Sequence, residues 1–518
     1  MQQLLVKKDQ YRDSVSLMQI SLELKEGAGL EEAFVAMGAP ANLEILEVMG
    51  FSKDLLSGIG LNDLLIALKA DQTAAIEKGL ALAASLLEGK GARPDGGETY
   101  RPHTLEQALR QLPQANLALI SNPGPYASGE ARRALEKGLH VMIFSDNVPL
   151  EEEIALKKLA QQRGLLLMGP DCGTALINGR PLCFANVVPS GAIGIVGASG
   201  TGIQEVSCAI ARLGEGVSQA IGTGGRDLSR EVGGLMVAEG IKGLAGDVQT
   251  RVIVVISKPP APEVADKIIA QLAACGKPGV VCFIGSPPQS SQGTLCFTES
   301  LAMAASLAVA LQRGEAPGQL LQDDERLKQI AAEETAAMSE GQLFLRGLYT
   351  GGTLADEAIY LLEKSVGAVY SNIHKEKEFQ LPDPTRSQGN TIIDLGDDYF
   401  TQGKPHPMID PSSRAGRIAE EADDPEVAVL LLDLVLGYGS HPDPAGALAP
   451  AVAEAKETVR ARGGHLAVIA SITGTAGDPQ GFQRQRETLE RVGCRVMVSN
   501  WEAATLAERI LQCRRVRS

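Results

Sequence analysis

The apolar positions of this chain follow two patterns that alternate along its length. Short apolar runs such as Ile193–Val196 are followed by segments whose apolar residues recur at helical spacing, as Ile203, Val206, Ile210 and Leu213 do. A short run bounded by turn residues predicts a buried parallel strand, and the helical spacing predicts a helix packed against it. The chain therefore predicts an α/β fold built from strand–turn–helix units.

The turn Ser199–Gly202, between the run Ile193–Val196 and the helix whose apolar residues begin at Ile203, consists of small residues and lies at the start of that helix. There, unpaired backbone N–H groups and the positive end of the helix dipole favour an anion. The same order of strand, small-residue turn and helix returns at Gly347–Ala358. We expect the two turns to hold one small anionic substrate between them. The residues expected to bind it are Ser199, Gly200, Thr201, Gly202, Gly351, Gly352 and Thr353.

The alternation of strands and helices divides the chain into four predicted units. The first is a small α+β unit of ferredoxin-like character, the second is Rossmann-like and of the CoA-binding type, and the last two are flavodoxin-like. Composition predicts a linker at Gly89–Gly97 and a helical linker over residues 312–342. The predicted units span residues 1–95, 100–187, 190–312 and 343–514.

Polar loops follow three strands of the second unit. Asn122, Asp146 and Asp171 each come directly after an apolar run, or one turn beyond it. Ligands of parallel sheets bind beyond the carboxyl ends of the strands. These residues could simply form turns, but three such loops at one sheet edge favour a binding surface. We assign Asn122 and Asp171 to it as candidates.

The fourth unit repeats the order of elements in the third. After the second turn come a helix, a strand and Ile392–Asp398, which occupies the place of Gly224–Asp227. The apolar run Ala428–Leu434 then matches Arg251–Ser257. We interpret this as an internal duplication. Two such units packed with approximate two-fold symmetry can bring their helix N-termini close together.

Chain length, net charge, cysteine spacing and the length of the apolar runs together indicate which classes of protein this chain can belong to. A length of 518 residues allows about three or four domains. The net charge of −15 disfavours nucleic acid and anionic membranes as partners. The eight cysteines include no C-x-x-C pair, which indicates neither a disulfide framework nor a zinc site. Because no apolar run approaches the roughly 20 residues of a membrane span, we expect a cytoplasmic protein.

Several motifs occur in the order found in a known enzyme. Asn122–Pro125, Gly169–Gly173, Gly194–Val196 and Ser199–Thr201 resemble the α subunit of succinyl-CoA synthetase, and the half that contains Gly351–Thr353 resembles the C-terminal domain of its β subunit. A chain that joins these pieces behind an extra N-terminal unit is similar to the FdrA family of acyl-CoA-synthetase-like proteins. The resemblance implies phosphate binding at both turns, and partner protein subunits or a homodimer.

The sequence also departs from the synthetase. The loop that carries the active histidine of the synthetase is here Gly285–Gly293, which contains no histidine. Residues 1–95 are too few for a nucleotide-grasp domain, and the glycine fingerprint of the first CoA-binding strand is absent. We therefore expect that this chain alone does not couple ATP to thioester formation. No cofactor is assigned, and coenzyme A and a divalent cation are candidates.

The resemblance also implies a reaction. Proteins of the FdrA family are linked to carbamoyl transfer in allantoin breakdown, in which oxalurate and phosphate give oxamate and carbamoyl phosphate. Phosphate is itself the nucleophile, so no covalent residue is required. Two alternatives stay open: an acyl-CoA ligase that works with a separate nucleotide-binding subunit, and a non-catalytic protein that binds a metabolite.

Four residues near predicted strand ends are candidates for catalysis. Arg226 and Lys258 could give phosphate a fixed cation, and His406 or His441 could be the general acid for a departing amide nitrogen. The alternative for the cations is an ordinary surface position, and for the histidines a structural bond to backbone.

Three carboxylates form a further candidate group. Asp394, Asp397 and Asp398 could orient the substrate amide or bind a divalent ion, or they could be a capping and turn cluster. The other histidines are interpreted as structural, and no two histidines have metal-ligand spacing. We therefore predict no metal site from histidine.

Overall fold

The computed structural model of the protein describes residues 1–10, 12, 14–87, 102–286, 290–316, 324–401 and 404–517. The predicted linker Gly89–Gly97, residues 287–289 of the loop without histidine and residues 317–323 of the second linker lie outside the described residues. The described strands form four sheets. In the same residues, no helix combines the length and apolar character needed to cross a bilayer.

The N-terminal unit is a three-stranded antiparallel sheet with helices on both faces, which agrees with the predicted α+β arrangement. Its elements are β1 (Gln2–Lys7), α1 (Ser14–Ala28), β2 (Glu32–Met37), α2 (Pro40–Val48), α3 (Lys53–Leu56), β3 (Leu64–Lys69) and α4 (Thr73–Leu87). The central strand is β3. Its residues Leu64, Ile66 and Leu68 join a core with α1 and α4, and Leu65 and Ala67 join a core with α2 and α3. This alternation follows from the two-residue period of a strand.

The second unit holds a small parallel sheet in the order β4–β5–β6, whose strand ends form one wall of the candidate site. Its elements are α5 (Leu105–Gln111), β4 (Leu117–Ile120), α6 (Gly124–Glu136), β5 (His140–Ile143), α7 (Leu150–Gln162) and β6 (Leu167–Met168). Ala127, Ala131 and Ala134 form the buried stripe of α6 and lie in one core with Val141 and Ile143 of β5.

The third unit contains a seven-stranded sheet. Its elements are β7 (Thr174–Ile177), β8 (Arg180–Cys183), β9 (Ser190–Ala198), α8 (Gly200–Arg212), β10 (Val217–Gly222), α9 (Leu235–Gly246), β11 (Val252–Ser257), α10 (Pro262–Ala274), β12 (Gly279–Phe283), β13 (Leu295–Thr298) and α11 (Leu301–Arg313). The hairpin of β7 and β8, which the sequence analysis placed in the 100–187 unit without predicting its strands, pairs with β10 of this sheet. The hairpin thus ties the second unit to the third.

The fourth unit contains a six-stranded parallel sheet. After α12 (Asp324–Ala336), its elements are β14 (Phe344–Tyr349), α13 (Gly352–Val366), β15 (Val369–Tyr370), β16 (Asn390–Asp394), α14 (Asp398–Thr401), α15 (Ser412–Asp423), β17 (Val427–Val435), α16 (Pro444–Ala461), β18 (Ala467–Thr473), α17 (Phe482–Arg491), β19 (Cys494–Met497) and α18 (Asn500–Arg517). The five strands that the two sheets have in common run β10–β9–β11–β12–β13 in the third unit and β16–β14–β17–β18–β19 in the fourth, where β15 adds a sixth parallel strand beside β16. Both are the 2-1-3-4-5 order of flavodoxin-like sheets, which agrees with the predicted duplication.

The third and fourth units share one hydrophobic core. Helices α8 and α11 of one contact α13 and α18 of the other. The predicted helix stripe is confirmed at Ile203, Val206 and Ile210, which are buried in this core together with Leu354 and Ala358 of α13. The fourth stripe position is different: Leu213 lies just past the end of α8 and is 41% exposed. The fold is α/β, and its shared core sets the two predicted turns face to face.

Candidate active site

The two small-residue turns meet at the start of their helices. The hydroxyl oxygens of Ser199 and Thr353 are 2.7 Å apart and share a hydrogen bond. The turns also touch at Gly351, where an added Cβ would lie 3.0 Å from Oγ1 of Thr201. This close approach requires glycine at position 351.

Both turns face a cavity of about 440 Å³. Residues of all four units line it, including Met18 of the N-terminal unit. The sequence-predicted candidates that line the cavity are Asn122, Asp171, Ser199, Gly200, Thr201, Lys258, Gly351, Gly352, Thr353, Asp394, Asp398 and His406. The predicted candidates that are not among its lining residues are Gly202, Arg226, Asp397 and His441.

The first turn uses one of its backbone N–H groups to cap its own helix. Ser199 is the N-cap of α8, and its Oγ accepts the backbone N–H of Gly202 at 3.1 Å. The amide of Gly202, which the prediction gave to the anion, is therefore occupied. The N–H groups of Gly200 and Thr201 have no partner among the described residues. These two amides are available to a ligand.

The second turn is held by a carboxylate that the sequence analysis missed. Asp433 accepts the backbone N–H groups of Thr350 at 2.9 Å and Gly351 at 3.0 Å, and it accepts the Thr350 hydroxyl as well. The Gly351 amide is thus committed, and the free N–H groups of this turn in the described chain are those of Gly352 and Thr353. The available signal was a single acidic residue inside the otherwise apolar run 427–435.

Asp433 is itself buried and paired. Arg414 donates to its Oδ1 at 3.0 Å, and both side chains are almost fully buried. Burial raises the pKa of Asp433, and the Arg414 charge and the turn's N–H groups oppose that rise. This network fixes the shape of the second turn.

A cation and a carboxyl group converge on the first residue of α13. A Cβ added to Gly352 would lie 2.4 Å from Oδ2 of Asp394 and 3.4 Å from Nζ of Lys258. Lys258 also pairs with Asp356 at 2.7 Å. Burial alone would lower the pKa of Lys258, but Asp356, Asp394 and Asp171 outweigh it and raise that pKa. Lys258 therefore carries a fixed positive charge beside the two free amides of α13.

The carboxyl group of Asp394 lies in a restricted setting. Its Oδ1 accepts the backbone N–H of Gly396 at 2.9 Å. The side-chain amide of Asn372 donates to the backbone carbonyl of Asp394 and accepts the backbone N–H of Asp394. Burial raises the pKa of Asp394 to about 7, although the Lys258 charge opposes the rise. The neutral acid form of Asp394 is therefore accessible at neutral pH.

His406 lines the cavity as a neutral ring. Its Nδ1 accepts the backbone N–H of Met408 at 3.2 Å, which places the ring proton on Nε2. A Cβ on Gly396 would lie 2.5 Å from Nε2, so this position too requires glycine. Burial lowers the pKa of His406 to about 4. At neutral pH the ring can donate a hydrogen bond but does not carry the extra proton of a general acid.

Three carboxylates of the cavity lie close enough to influence one another. Asp146, Asp171 and Asp398 all line the cavity. Burial, followed by the charges of Asp146 and Asp398, raises the pKa of Asp171 to about 6. Within the described residues, no group of three or more His, Cys, Asp or Glu side chains is placed to hold a metal ion.

The candidates outside the cavity have structural partners. Arg226 donates to the Val148 carbonyl at 2.7 Å and pairs with Glu153 at 2.8 Å. His441 accepts the backbone N–H of Asp443 through Nδ1.

Asp397 has a comparable structural role, because it accepts the backbone N–H of Tyr399 at the start of α14. The cavity is also lined by a cation that the sequence analysis did not single out, Lys404. Only the folded loop brings Lys404 to the cavity, so no sequence signal marked it.

Three family models match parts of the chain. The CoA-ligase family matches residues 348–510, and the CoA-binding domain family matches residues 190–285. The CoA-binding match thus lies on the third unit, whereas the sequence analysis expected CoA-type binding in the second unit, residues 100–187. A third model, the heavy metal-associated domain of AllF, matches residues 1–102. Those residues contain neither cysteine nor histidine, so they offer a heavy metal no thiolate or imidazole ligand.

Several known proteins are similar to this chain. The uncharacterized protein YahF of Escherichia coli K12 is 45% identical over 98% of both chains. The mitochondrial succinate–CoA ligase [ADP-forming] subunit alpha-2 of Trichomonas vaginalis is 30% identical over 35% of this chain and 60% of its own length. Among solved structures, the acetyl-CoA synthetase 1 of Candidatus Korarchaeum cryptofilum in complex with phosphate and ADP is 16% identical. The match covers 77% of this chain and 83% of that chain, with a TM-score of 0.28.

The full-length match to YahF, together with the CoA-binding and CoA-ligase models, settles the family. The chain belongs to the acyl-CoA-synthetase-like family that includes E. coli YahF.

Proposed function

We propose that this chain catalyses phosphate-dependent carbamoyl transfer, in which oxalurate and phosphate give oxamate and carbamoyl phosphate. The observation that carries the proposal is the junction of two helix N-termini at Ser199 and Thr353. The junction directs two free amides from each helix, those of Gly200, Thr201, Gly352 and Thr353, at one cavity. Such a site suits a phosphate dianion, with Lys258 as its fixed counter-charge.

The site supports direct attack by phosphate. A phosphate oxygen adds to the carbamoyl carbon, the C–N bond to oxamate breaks, and no residue becomes covalently modified. Holding both reactants in a productive geometry can be worth about 7–11 kcal/mol of the barrier. The Nε2–H of His406, carried by a neutral ring, is suited to donate to the oxyanion that forms at this carbon. Removing one such donor typically costs about 2.7–4 kcal/mol.

A second candidate function is acyl-CoA ligation with a separate nucleotide-binding subunit. The CoA-binding match at residues 190–285 and the CoA-ligase match at 348–510 favour it. The free amides of Gly200 and Thr201 would fit a phosphoryl group of coenzyme A or of an acyl phosphate. Against it, Gly285–Gly293 contains no histidine and His406 is buried as a neutral ring. In either case we propose a cytoplasmic enzyme that works with partner subunits or as a homodimer.

A ligand-stabilisation experiment on the purified chain tests the proposal. The melting temperature is measured with phosphate, carbamoyl phosphate, coenzyme A and ADP, and ³¹P NMR follows carbamoyl phosphate formation from oxalurate. A ligand at 100 times its Kd adds about 2.7 kcal/mol of stability. Stabilisation by phosphate and carbamoyl phosphate, with carbamoyl phosphate formed, supports the transferase. Stabilisation by coenzyme A alone would contradict it and favour the ligase.

A further inference from the structure

The transfer reaction needs a proton at the departing nitrogen, and neither predicted histidine is placed to provide it. His441 is not among the cavity's lining residues, and His406 presents a neutral ring whose only proton is the Nε2–H. An amide nitrogen that leaves without a proton is a very poor leaving group. The acid must therefore be another cavity group that holds a proton and lies beside the phosphate site.

We propose that the carboxyl group of Asp394 is this acid, and that it shuttles a proton between phosphate and the departing nitrogen. The inference rests on the proposed function. It assigns a chemical role to a residue that the sequence analysis gave as a candidate for orienting the substrate amide or binding a divalent ion.

The two oxygens of Asp394 have different surroundings. Oδ1 is fixed by the Gly396 N–H at 2.9 Å. Oδ2 has no hydrogen-bond partner among the described residues, and it lies against Gly352, the first residue of α13. The carboxyl group therefore presents its free oxygen at the helix end where the amides of Gly352 and Thr353 would hold phosphate.

The charges around Asp394 favour a proton that can move. Lys258 from the loop after β11, Asp356 from α13 and Asp397 from its own loop act on the carboxyl group. His406 faces it as well, because a Cβ added to Gly396 would lie 2.5 Å from Nε2 of His406 and 3.1 Å from Oδ1 of Asp394. Burial, with the charges of Asp397 and Asp356 added, raises the pKa of Asp394 to about 7 against the opposing charge of Lys258. A general acid works best when its pKa lies near the working pH.

The proton balance closes without any further reactant. The acid form of Asp394 gives its proton to the nitrogen as the C–N bond breaks and the new C–O bond to phosphate forms. Monohydrogen phosphate enters with one P–OH proton, and that proton returns to the Asp394 carboxylate as the acyl phosphate dianion forms. The net result is transfer of the phosphate proton to the nitrogen of oxamate. In the reverse direction the same carboxyl group removes a proton from oxamate.

The test compares two carbamoyl donors in Asp394→Asn and wild type, with the full chain and any subunits that its activity requires. Oxalurate needs an acid at its leaving nitrogen, whereas 4-nitrophenyl carbamate releases a phenolate that needs none. We expect Asp394→Asn to lose about 10²–10⁴-fold in kcat on oxalurate, the usual range for a general acid. Its rate on the aryl carbamate, corrected for the enzyme-free reaction, should fall by much less, because the phenolate leaves without a proton.

Each other result has a distinct meaning. An equal loss on both donors would overturn the role, because it would indicate a binding or folding defect. A donor-selective loss in Asp171→Asn, with Asp394→Asn unaffected, would assign the acid to Asp171 instead. A wild type that makes carbamoyl phosphate from neither donor would overturn the proposed function itself, whereas an active wild type with a fully active Asp394→Asn would overturn only the proton shuttle.

Discussion

Ser199 and Thr353 are 154 positions apart in the chain, yet their hydroxyl oxygens lie 2.7 Å apart at the meeting point of two helices. Each is at the start of one copy of a duplicated unit, and the shared core of α8, α11, α13 and α18 holds them there. The arrangement directs unpaired N–H groups from two helix ends at one point. An isolated helix N-terminus offers only one such set of groups.

The threonine hydroxyls of the two turns should contribute to phosphate binding. We expect the double variant Thr201→Val and Thr353→Val to weaken phosphate binding by at least about 10-fold, since even one lost hydrogen bond to a charged group is worth about 1.5–3 kcal/mol. Isothermal titration with phosphate gives the affinity. Thr488→Val, whose hydroxyl bonds the Arg484 carbonyl on the exposed helix α17, is the matched control. Equal phosphate affinity in all three proteins would contradict the role of the turns.

Gly352 should not tolerate a side chain. Its Cβ in Gly352→Ala would lie 2.4 Å from Oδ2 of Asp394, so the carboxyl group or the start of α13 must shift. We expect loss of phosphate binding in a thermal-shift titration. Gly416→Ala in helix α15 is the control, because nothing lies within 4 Å of its added Cβ. That variant should gain about 0.5–1 kcal/mol in denaturant unfolding and bind phosphate normally.

Removing the charge of Asp433 should destabilise the fold. Asp433→Asn leaves Arg414 buried without its counter-charge and weakens the bonds to the Thr350 and Gly351 amides. Breaking a buried pair in this way costs about 3–5 kcal/mol, measurable by urea denaturation. The exposed pair of Glu457 and Arg460 gives a control, since Glu457→Gln should change the midpoint very little. Two variants of equal stability would show that the buried network does not hold the turn.

His406 should make the protein less stable as the pH falls. Its pKa is lowered to about 4 in the folded state, whereas an unfolded histidine titrates near 6.5. Between these values the unfolded chain binds the proton and the folded chain does not, so stability decreases as pH falls, by up to about 1.4 kcal/mol per unit. The unfolding free energies of wild type and His406→Gln are measured at pH 7 and at pH 5. We expect wild type to lose more stability than His406→Gln between these two pH values.

The comparison with His406→Gln is needed because Asp394 and Asp171 act in the opposite direction. Their pKa values are raised to about 7 and about 6, so the stability they contribute is present at low pH and is lost as the pH rises through those values. A difference between wild type and His406→Gln that does not change with pH would contradict the neutral state of the ring.

The sequence by itself determined the elements and their class. Apolar runs and helical spacing are local, and so the strand at Ile193–Val196, the stripe at Ile203, Val206 and Ile210, and the repeated order of units could be predicted from neighbours along the chain. The small-residue turns could be predicted in the same way, because a helix N-terminus leaves its first N–H groups unpaired whatever surrounds it.

Tertiary structure decided which groups at those turns are free. Ser199 takes the Gly202 amide, and Asp433, 82 positions after Gly351, takes the amide of that glycine. Burial is a property of the assembled units. It lowers the pKa of His406 and is the largest cause of the raised pKa of Asp394, to which the charges of Asp397 and Asp356 add. The sequence therefore determined where an anion site would form. Contacts between distant segments determined which groups face it, because hydrogen-bond partners and desolvation exist only after the four units have packed.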